Sequence, residues 1–279
     1  MATHVIGDLR PKRTSNWRIR VRVSSKWCDR NFSTGHRNAL NLILVDEEHN
    51  RIRAFVGETV LHYFDKKFIE GHAYEIRNFV VKYYEPTEAA RCFKDDKFIL
   101  QSNLTKATAL HNVHANIPTN VWQFTELAAI SEFQENVLHC IDVVGIVYSV
   151  EPAEKQQFQE KLITKVNVTF KGKLAPLLDV ALIEATEQPV VLAMTSCKIM
   201  FAKQLNEIFM CNTQATRINT NPNTEIAATL RRIIAILNKY CLFVQDFGNC
   251  MEDEQSNNVG DANICWQATP VFCWHVMKK

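Results

Sequence analysis

The sequence predicts an all-β chain with short helices, built as two tandem five-stranded barrels. Three observations lead there. Trp17, Ile19, Val21 and Val23 alternate strictly with Arg18, Arg20 and Arg22, as in a strand with one buried face. From Leu40 to Val81, an apolar alternation (Leu40, Leu42, Leu44) breaks at Asp46–Asn50 and resumes at Ile52, Ala54 and Val56. It then changes to helical spacing between Glu58 and Glu70. The same layout of strand, strand, short helix, strand, strand recurs after Val137. A strand pair, a helix plug and a return strand describe most of an OB barrel, and a generic small β-rich domain with one helix is the competing reading of the pattern alone.

Residues 1–16 read as an irregular basic lead-in to the Trp17–Val23 strand, whose outer face carries the Arg18, Arg20, Arg22 row. Lys26 to Arg37 reads as a loop that mixes cations with Trp27 and Phe32, the combination a single-strand groove needs: cations for phosphates, ring faces for unstacked bases. Asp46-Glu47-Glu48 reads as a solvated turn between two strands. Val60, Leu61, Phe64 and Phe68 share one helical face, and Gly71 is placed to stop that helix. Val80–Tyr84 continues the return strand and Phe93–Leu100 closes the first unit, giving a domain over residues 1–103.

A polar linker is expected over 104–119, with His111 and His114 as linker residues, since no Cys or acid stands at metal-site spacing from them. The second barrel is expected over 120–240. It opens with an apolar anchor (Val121, Trp122, Phe124) and a short helix capped by Thr125. Cys140–Val150 is apolar on both faces, which marks a strand buried on both sides, with Gly145 as a bend. Strands follow at Ile163–Phe170, Pro189–Met194 and within Ile199–Phe209, with a helix-like stretch at Leu174–Ile183. Thr224 is an N-cap with Glu225 in the first turn of a helix through Leu237. Residues 241–279 read as an irregular tail or the truncated start of a further domain.

Net charge is only +2, but the first 37 residues hold nine Lys and Arg against two acids, so one end of the chain is suited to a polyanion. Nine cysteines occur singly, with no C-x-x-C pair, and no leading apolar segment is present; both point to reduced thiols in a cytosolic or nuclear protein. No run is long and apolar enough for a membrane span. There is no phosphate loop, H-E-x-x-H, nucleophile elbow or paired cysteine ligand set. The expectation is a protein that is not an enzyme, with no cofactor, no metal site, no small-molecule substrate and no membrane partner.

The segments W-R-I-R-V-R-V-S-S-K-W-C-D-R-N-F-S (Trp17–Ser33), L-I-L-V-D-E-E…R-I-R-A (Leu42–Ala54) and Y-E-I-R-N-F (to Phe79) resemble the first core OB domain of the large subunit of replication protein A, in its plant-type form. D-V-V-G-I-V (Asp142–Val147), V-T-F-K-G-K-L-A (Val168–Ala175), P-V-V-L-A (Pro189–Ala193) and A-T-R-I-N-T-N-P-N-T-E (Ala215–Glu225) resemble the next one. The match spans about residues 5–238 in the family's order. It implies a sequence-tolerant binder of single-stranded DNA, nuclear, acting in replication, repair and recombination within a heterotrimer.

Residue by residue, the resemblance places Arg30, Arg37, Arg53 and Lys82 against the strand in the first domain, and Lys198 and Phe201 in the second. Two stacking positions depart from the family: Gly57 stands where the first ring is expected, and Lys171 holds the corresponding place in the second domain. Phe55, on the same strand face as Gly57, is the expected substitute, and Phe93 or Tyr84 the candidate second ring. The strand-turn-strand leading to Lys171 is also shortened. The expected contact set is therefore Arg18, Arg20, Arg22, Lys26, Arg30, Arg37, Arg53, Phe55, Lys82, Phe93, Lys171, Lys198 and Phe201. The alternative reading is a degenerate OB module kept for protein contacts, with weak or no DNA binding.

Overall fold

The computed structural model of the chain describes residues 3–11, 16–30, 33–84, 91–94, 97–110, 116–130, 139–152, 164–170, 174, 177–178, 189–202, 207–235 and 272–278. The first barrel contains β1 (Arg18–Arg30), β2 (Arg37–Val45), β3 (Arg51–Gly57), α1 (Glu58–Phe64), β4 (Ala73–Arg77), β5 (Val80–Tyr83), β6 (Lys97–Gln101) and β7 (Lys106–Ala109). β1 is long enough to serve two neighbours. Residues 22–30 pair with β2 and residues 18–22 with β4, both antiparallel. β3 pairs antiparallel with β2 and parallel with β6.

Closure depends on a bend. β4 and β5 are two halves of one return strand, broken at Asn78, whose φ of 59° is left-handed. The first half lies on β1 and the second on β6, so the ring β1–β2–β3–β6–β5/β4–β1 closes. The Thr105 hydroxyl donates to the Asn78 carbonyl at 3.1 Å and accepts the Ser102 N–H at 2.9 Å. Asn is among the few residues that enter the left-handed region at low cost.

Alternation fills the interior. Ile19, Val21 and Val23 face Leu40, Leu42, Leu44, Ile52, Ala54 and Val56. Phe64 and Phe68, stacked 5.6 Å apart, bring α1 and the turn after it against this core. Gly71, at φ 85°, turns the chain into β4 and donates its N–H to Val23.

The register of β1 slips between Val23 and Ser25. Such a bulge exchanges the two faces of a strand. Beyond it Cys28 packs on the core, and the Lys26 ammonium bonds to the carbonyls of Asp65 and Phe68 just past α1. Trp27, opposite Asn41, shares the outer face with it.

The structure departs from the expected layout in three places here. Residues 26–30 are strand, because β2 continues alongside them, and not the start of a loop. Residues 106–109, within the expected linker, pair with β4 as β7; the composition Lys-Ala-Thr-Ala gives little β signal, and the partner strand decides. Asp46 is buried, not solvated. Its carboxylate accepts N–H groups from Ile6 at 2.7 Å, Glu48 at 3.1 Å and Asn50 at 2.8 Å, tying the lead-in to the turn.

The second barrel contains α2 (Leu127–Ile130), β8 (Ile141–Pro152), β9 (Thr164–Phe170), β10 (Val191–Ala202), β11 (Glu207–Cys211), β12 (Ile218–Thr220), a helix α3 over 225–235 and β13 (Phe272–Lys278). It repeats the closing device. β10 is one strand where two were expected, bent at Ser196 with φ 53°. Its first part pairs with β8 and its second with β11. The hydroxyls of Thr213 and Thr216 donate to the Ser196 carbonyl at 2.8 and 2.9 Å. β8 is buried on both sides as expected: Ile141 and Val143 face the barrel, while Val144 and Ile146 pack with Ala227 and Leu230 of α3. The Thr224 hydroxyl accepts the Ala227 N–H, the expected cap.

The position between β8 and β9, which β2 occupies in the first barrel, is held by β13. It runs parallel to both neighbours, where β2 is antiparallel to both of its own. Residues 272–278 are thus a sheet strand within the expected irregular tail, consistent with the β-formers Phe272, Trp274 and Val276. His111, His114 and residues 241–271 lie outside the described residues.

Thr105→Val and Thr216→Val each remove a hydroxyl that holds a bent carbonyl. Each is expected to destabilise its barrel by about 1–3 kcal/mol. Urea unfolding followed by barrel-specific hydrogen exchange measures this; unchanged midpoints for both would remove the turn's structural role.

Candidate nucleic-acid interface

The outer face of β3 carries Arg51, Arg53 and Phe55, since Ile52, Ala54 and Val56 point inward. β6 lies parallel to β3, with Phe55 opposite Leu100, so Phe98 falls beside Arg53. On β5, Lys82 is opposite Phe98. Tyr84 follows β5, and the short segment 91–94 returns Arg91 and Phe93 to the same face.

The rings and cations interleave. The Arg53 guanidinium lies 5.6 Å from the Phe55 centroid and 5.8 Å from that of Tyr84. Arg91 is 5.7 Å from Tyr84, and Arg51 is 4.8 Å from Phe93. Phe98 stands edge-on to Phe55 at 6.5 Å and tilted to Tyr84 at 5.0 Å. Arg53 is aimed by Asn41, whose Oδ1 accepts from both Nε and Nη2 at 2.9 and 2.8 Å; Asn41 in turn donates to Asp29 at 2.7 Å. A pre-oriented guanidinium among aromatic faces is suited to a phosphate flanked by stacked bases.

Gly57 does not need to be glycine on steric grounds. A Cβ there would meet Cε1 of Phe55 at 3.8 Å, an ordinary contact. The Phe55 ring therefore leans over the place that a ring at position 57 would occupy.

The expected contact residues divide into separate groups. Arg53, Phe55, Phe93 and Lys82 come together on the face just described. Arg18, Arg20 and Arg22 lie along β1 where it pairs with β4. Arg18 donates to Glu75 at 2.7 Å, and Arg20 is 3.7 Å from the same carboxylate. The Arg18 hydrogen bond holds the Glu75 carboxyl below the usual carboxylate range. Arg22 bonds to the carbonyls of Ile117 and Gly71, clamping the segment after the first barrel. Lys26 and Arg37 converge on Asp65, at 3.2 and 2.6 Å, although Arg37 stays exposed. Arg30 is exposed and donates to the Gly35 carbonyl.

In the second barrel Lys198 and Phe201 are half-buried on β10 beyond the bend, opposite Cys211 and Ile208. Lys171 lies outside the described residues. Sequence reasoning missed Arg51, Arg91 and Phe98. The period-two spacing Arg51, Arg53, Phe55 was a signal for the first.

Cys92 and Cys140 lie beside this face. Burial pushes Cys92 up to about 11 and Cys140 up to about 12. Each thiol keeps its proton to higher pH in the folded chain than in the unfolded one, so above about pH 9 the folded state binds more protons. Unfolding free energy is expected to fall as pH rises from about 9, and native alkylation of both thiols at pH 8 to be slow relative to denatured protein. Chemical denaturation against pH and mass-resolved alkylation check the two statements.

Residues 7–132 match the family model described as domain of unknown function DUF223. A 70 kDa DNA-binding subunit of replication protein A from Arabidopsis thaliana is 24% identical over 215 residues, covering 70% of this chain and 33% of that protein. The chain thus spans about a third of that relative's length. Among solved structures, a replication protein A heterotrimer bound to ssDNA aligns over 82% of this chain and 54% of that one, at 18% identity and a TM-score of 0.50. The Ifi202 HINa domain in complex with 20bp dsDNA covers 74% of this chain and 97% of its own at 14% identity, with a TM-score of 0.38. In sequence and in its tandem OB fold, the chain is similar to the 70 kDa subunit of replication protein A.

Proposed function

We propose that the chain binds single-stranded DNA without strong sequence preference, through the outer face of the first barrel. The observation that carries this reading is the oriented Arg53 guanidinium set among Phe55, Tyr84 and Phe98. Ring faces accept any base, and the cations meet the backbone, so the arrangement favours unpaired nucleic acid over duplex. Lys82, exposed beside Phe98, and Arg91 and Phe93 extend the face. Exposed Arg30 and Arg37 supply a cationic rim, and Lys171, Lys198 and Phe201 are assigned to a second contact region. The similarity to the replication protein A subunit supports this reading. By the same analogy we assign the chain to nuclear replication, repair and recombination, and assign other replication protein A subunits as partners. It performs no chemistry on its ligand.

A second reading, an OB module devoted to protein contacts, is favoured by one observation. Arg18, Arg22, Lys26 and Arg37 are all engaged by carboxylates or carbonyls of the chain itself. The two readings separate on Arg53.

Fluorescence anisotropy with oligo-dT is expected to show micromolar or tighter binding that weakens steeply as salt rises, with weaker binding to duplex. Phe55→Ala and Phe98→Ala should each cost about 1–3 kcal/mol of affinity. Arg53→Ala should lower affinity and reduce the salt slope by about 0.7. An unchanged affinity in Arg53→Ala would favour the protein-contact reading.

A further inference from the structure

The segment that supplies Arg91 and Phe93 to the binding face is fastened to the other barrel. Arg91 forms a parallel β-bridge with His139, and the Cys140 N–H donates to the Arg91 carbonyl at 3.0 Å. Beneath Phe93, Arg51 turns away from solvent and reaches Asp142 of β8 at 2.5 Å, with side-chain exposures of 6% and 2%. The Asp142 carboxylate is saturated around that contact. One oxygen also accepts the Gln123 N–H at 3.1 Å, and the other accepts the N–H of Ser196 at 3.0 Å. Asp142 therefore links the first barrel to the bend that closes the second.

Elsewhere along the seam, Arg217 donates to both oxygens of Glu70, at 2.5 and 2.7 Å, and to the Lys26 carbonyl at 3.0 Å. A solvent-exposed pair is weak and screened by salt, whereas removing one partner of a buried pair leaves an uncompensated charge and is costly. Among the described residues the seam contains a contact of each kind.

We propose that this seam is a permanent brace and not a hinge. Arg51 and the 139–142 edge of the second barrel hold the 91–94 segment over the aromatic face, so the binding surface is complete before any strand arrives. Arg51 is a positioning residue in this scheme. Its guanidinium is buried between Phe93 and Asp142 and does not reach a phosphate. This inference rests on the single-strand reading of the face. Its consequence is that the strand pays no cost of ordering two mobile barrels, which a flexible tether would impose.

The test uses the full chain. In the absence of nucleic acid, the amides of Cys140 and Gln123 should exchange as slowly as those of the strand cores, and small-angle scattering should give one compact form that does not contract when dT oligomers are added. Rapid exchange at both amides, or contraction on adding oligomer, overturns the brace. Arg51→Met should lose the protection at Cys140 and weaken oligo-dT binding about tenfold, with the slope of log affinity against log salt unchanged. A slope reduced by about 0.7 overturns the positioning role, because it would mean that Arg51 meets a phosphate. If Arg51→Met does not fold, the wild-type exchange and scattering data decide. A braced wild-type chain that binds no oligomer upholds the brace and defeats the single-strand reading.

Discussion

Both barrels depend on one left-handed residue in the return strand. Without the bend at Asn78, β4 could not lie on β1 while β5 lies on β6, and the sheet would remain open. Ser196 does the same between β8 and β11. The two bends also share their support. A turn with a hydroxyl residue at each end, Ser102 to Thr105 and Thr213 to Thr216, sends a threonine hydroxyl to the bent residue's carbonyl. Each turn then leads into a short strand, β7 or β12, that pairs back on the return strand. The repeat in the chain is therefore one of closing devices as much as of strands. Serine enters the left-handed region less readily than asparagine does, and it is Ser196 whose carbonyl receives two hydroxyls where that of Asn78 receives one.

Much of this architecture was legible because period-two and helical alternations are written directly in the residues. Ile19, Val21 and Val23, the β2–β3 hairpin and the two-sided β8 all lie where the pattern puts them. What could not be read were features that alter the period or depend on distant partners. The slip between Val23 and Ser25 reverses the faces of β1, so Lys26 meets the carbonyls after α1 although it continues an even-numbered run of cations. Ser196 interrupts the alternation of β10, which made one strand read as two. Asp46 read as solvated because its partner Ile6 is forty residues away.

The candidate interface shows the same division. Arg53, Phe55 and Phe93 were reachable from strand parity and resemblance. Phe98 joins them only through the parallel pairing of β6 with β3, which no local pattern announces. Arg51 has the sequence profile of a strand-tracking cation, yet the second barrel withdraws it from solvent. Cations that look equivalent along the chain thus fall into two groups, those held on the outer face of the first barrel and those that tie the two barrels together. Burial and the identity of the acceptor separate them: a side-chain amide for Arg53, a buried carboxylate for Arg51.

The parallel strand β13 has a consequence for how the molecule is made. The first barrel is contiguous from Arg18 to Ala109, so it can fold as soon as that stretch has left the ribosome. The second barrel draws its strand between β8 and β9 from Phe272–Lys278, more than a hundred residues beyond β8. Until that segment is synthesised, β8 and β9 present unpaired edges, and the loop that must close is long. High sequence separation slows folding. The finished first barrel is already present during that interval. Its Arg51, on β3, is then available to Asp142 of β8.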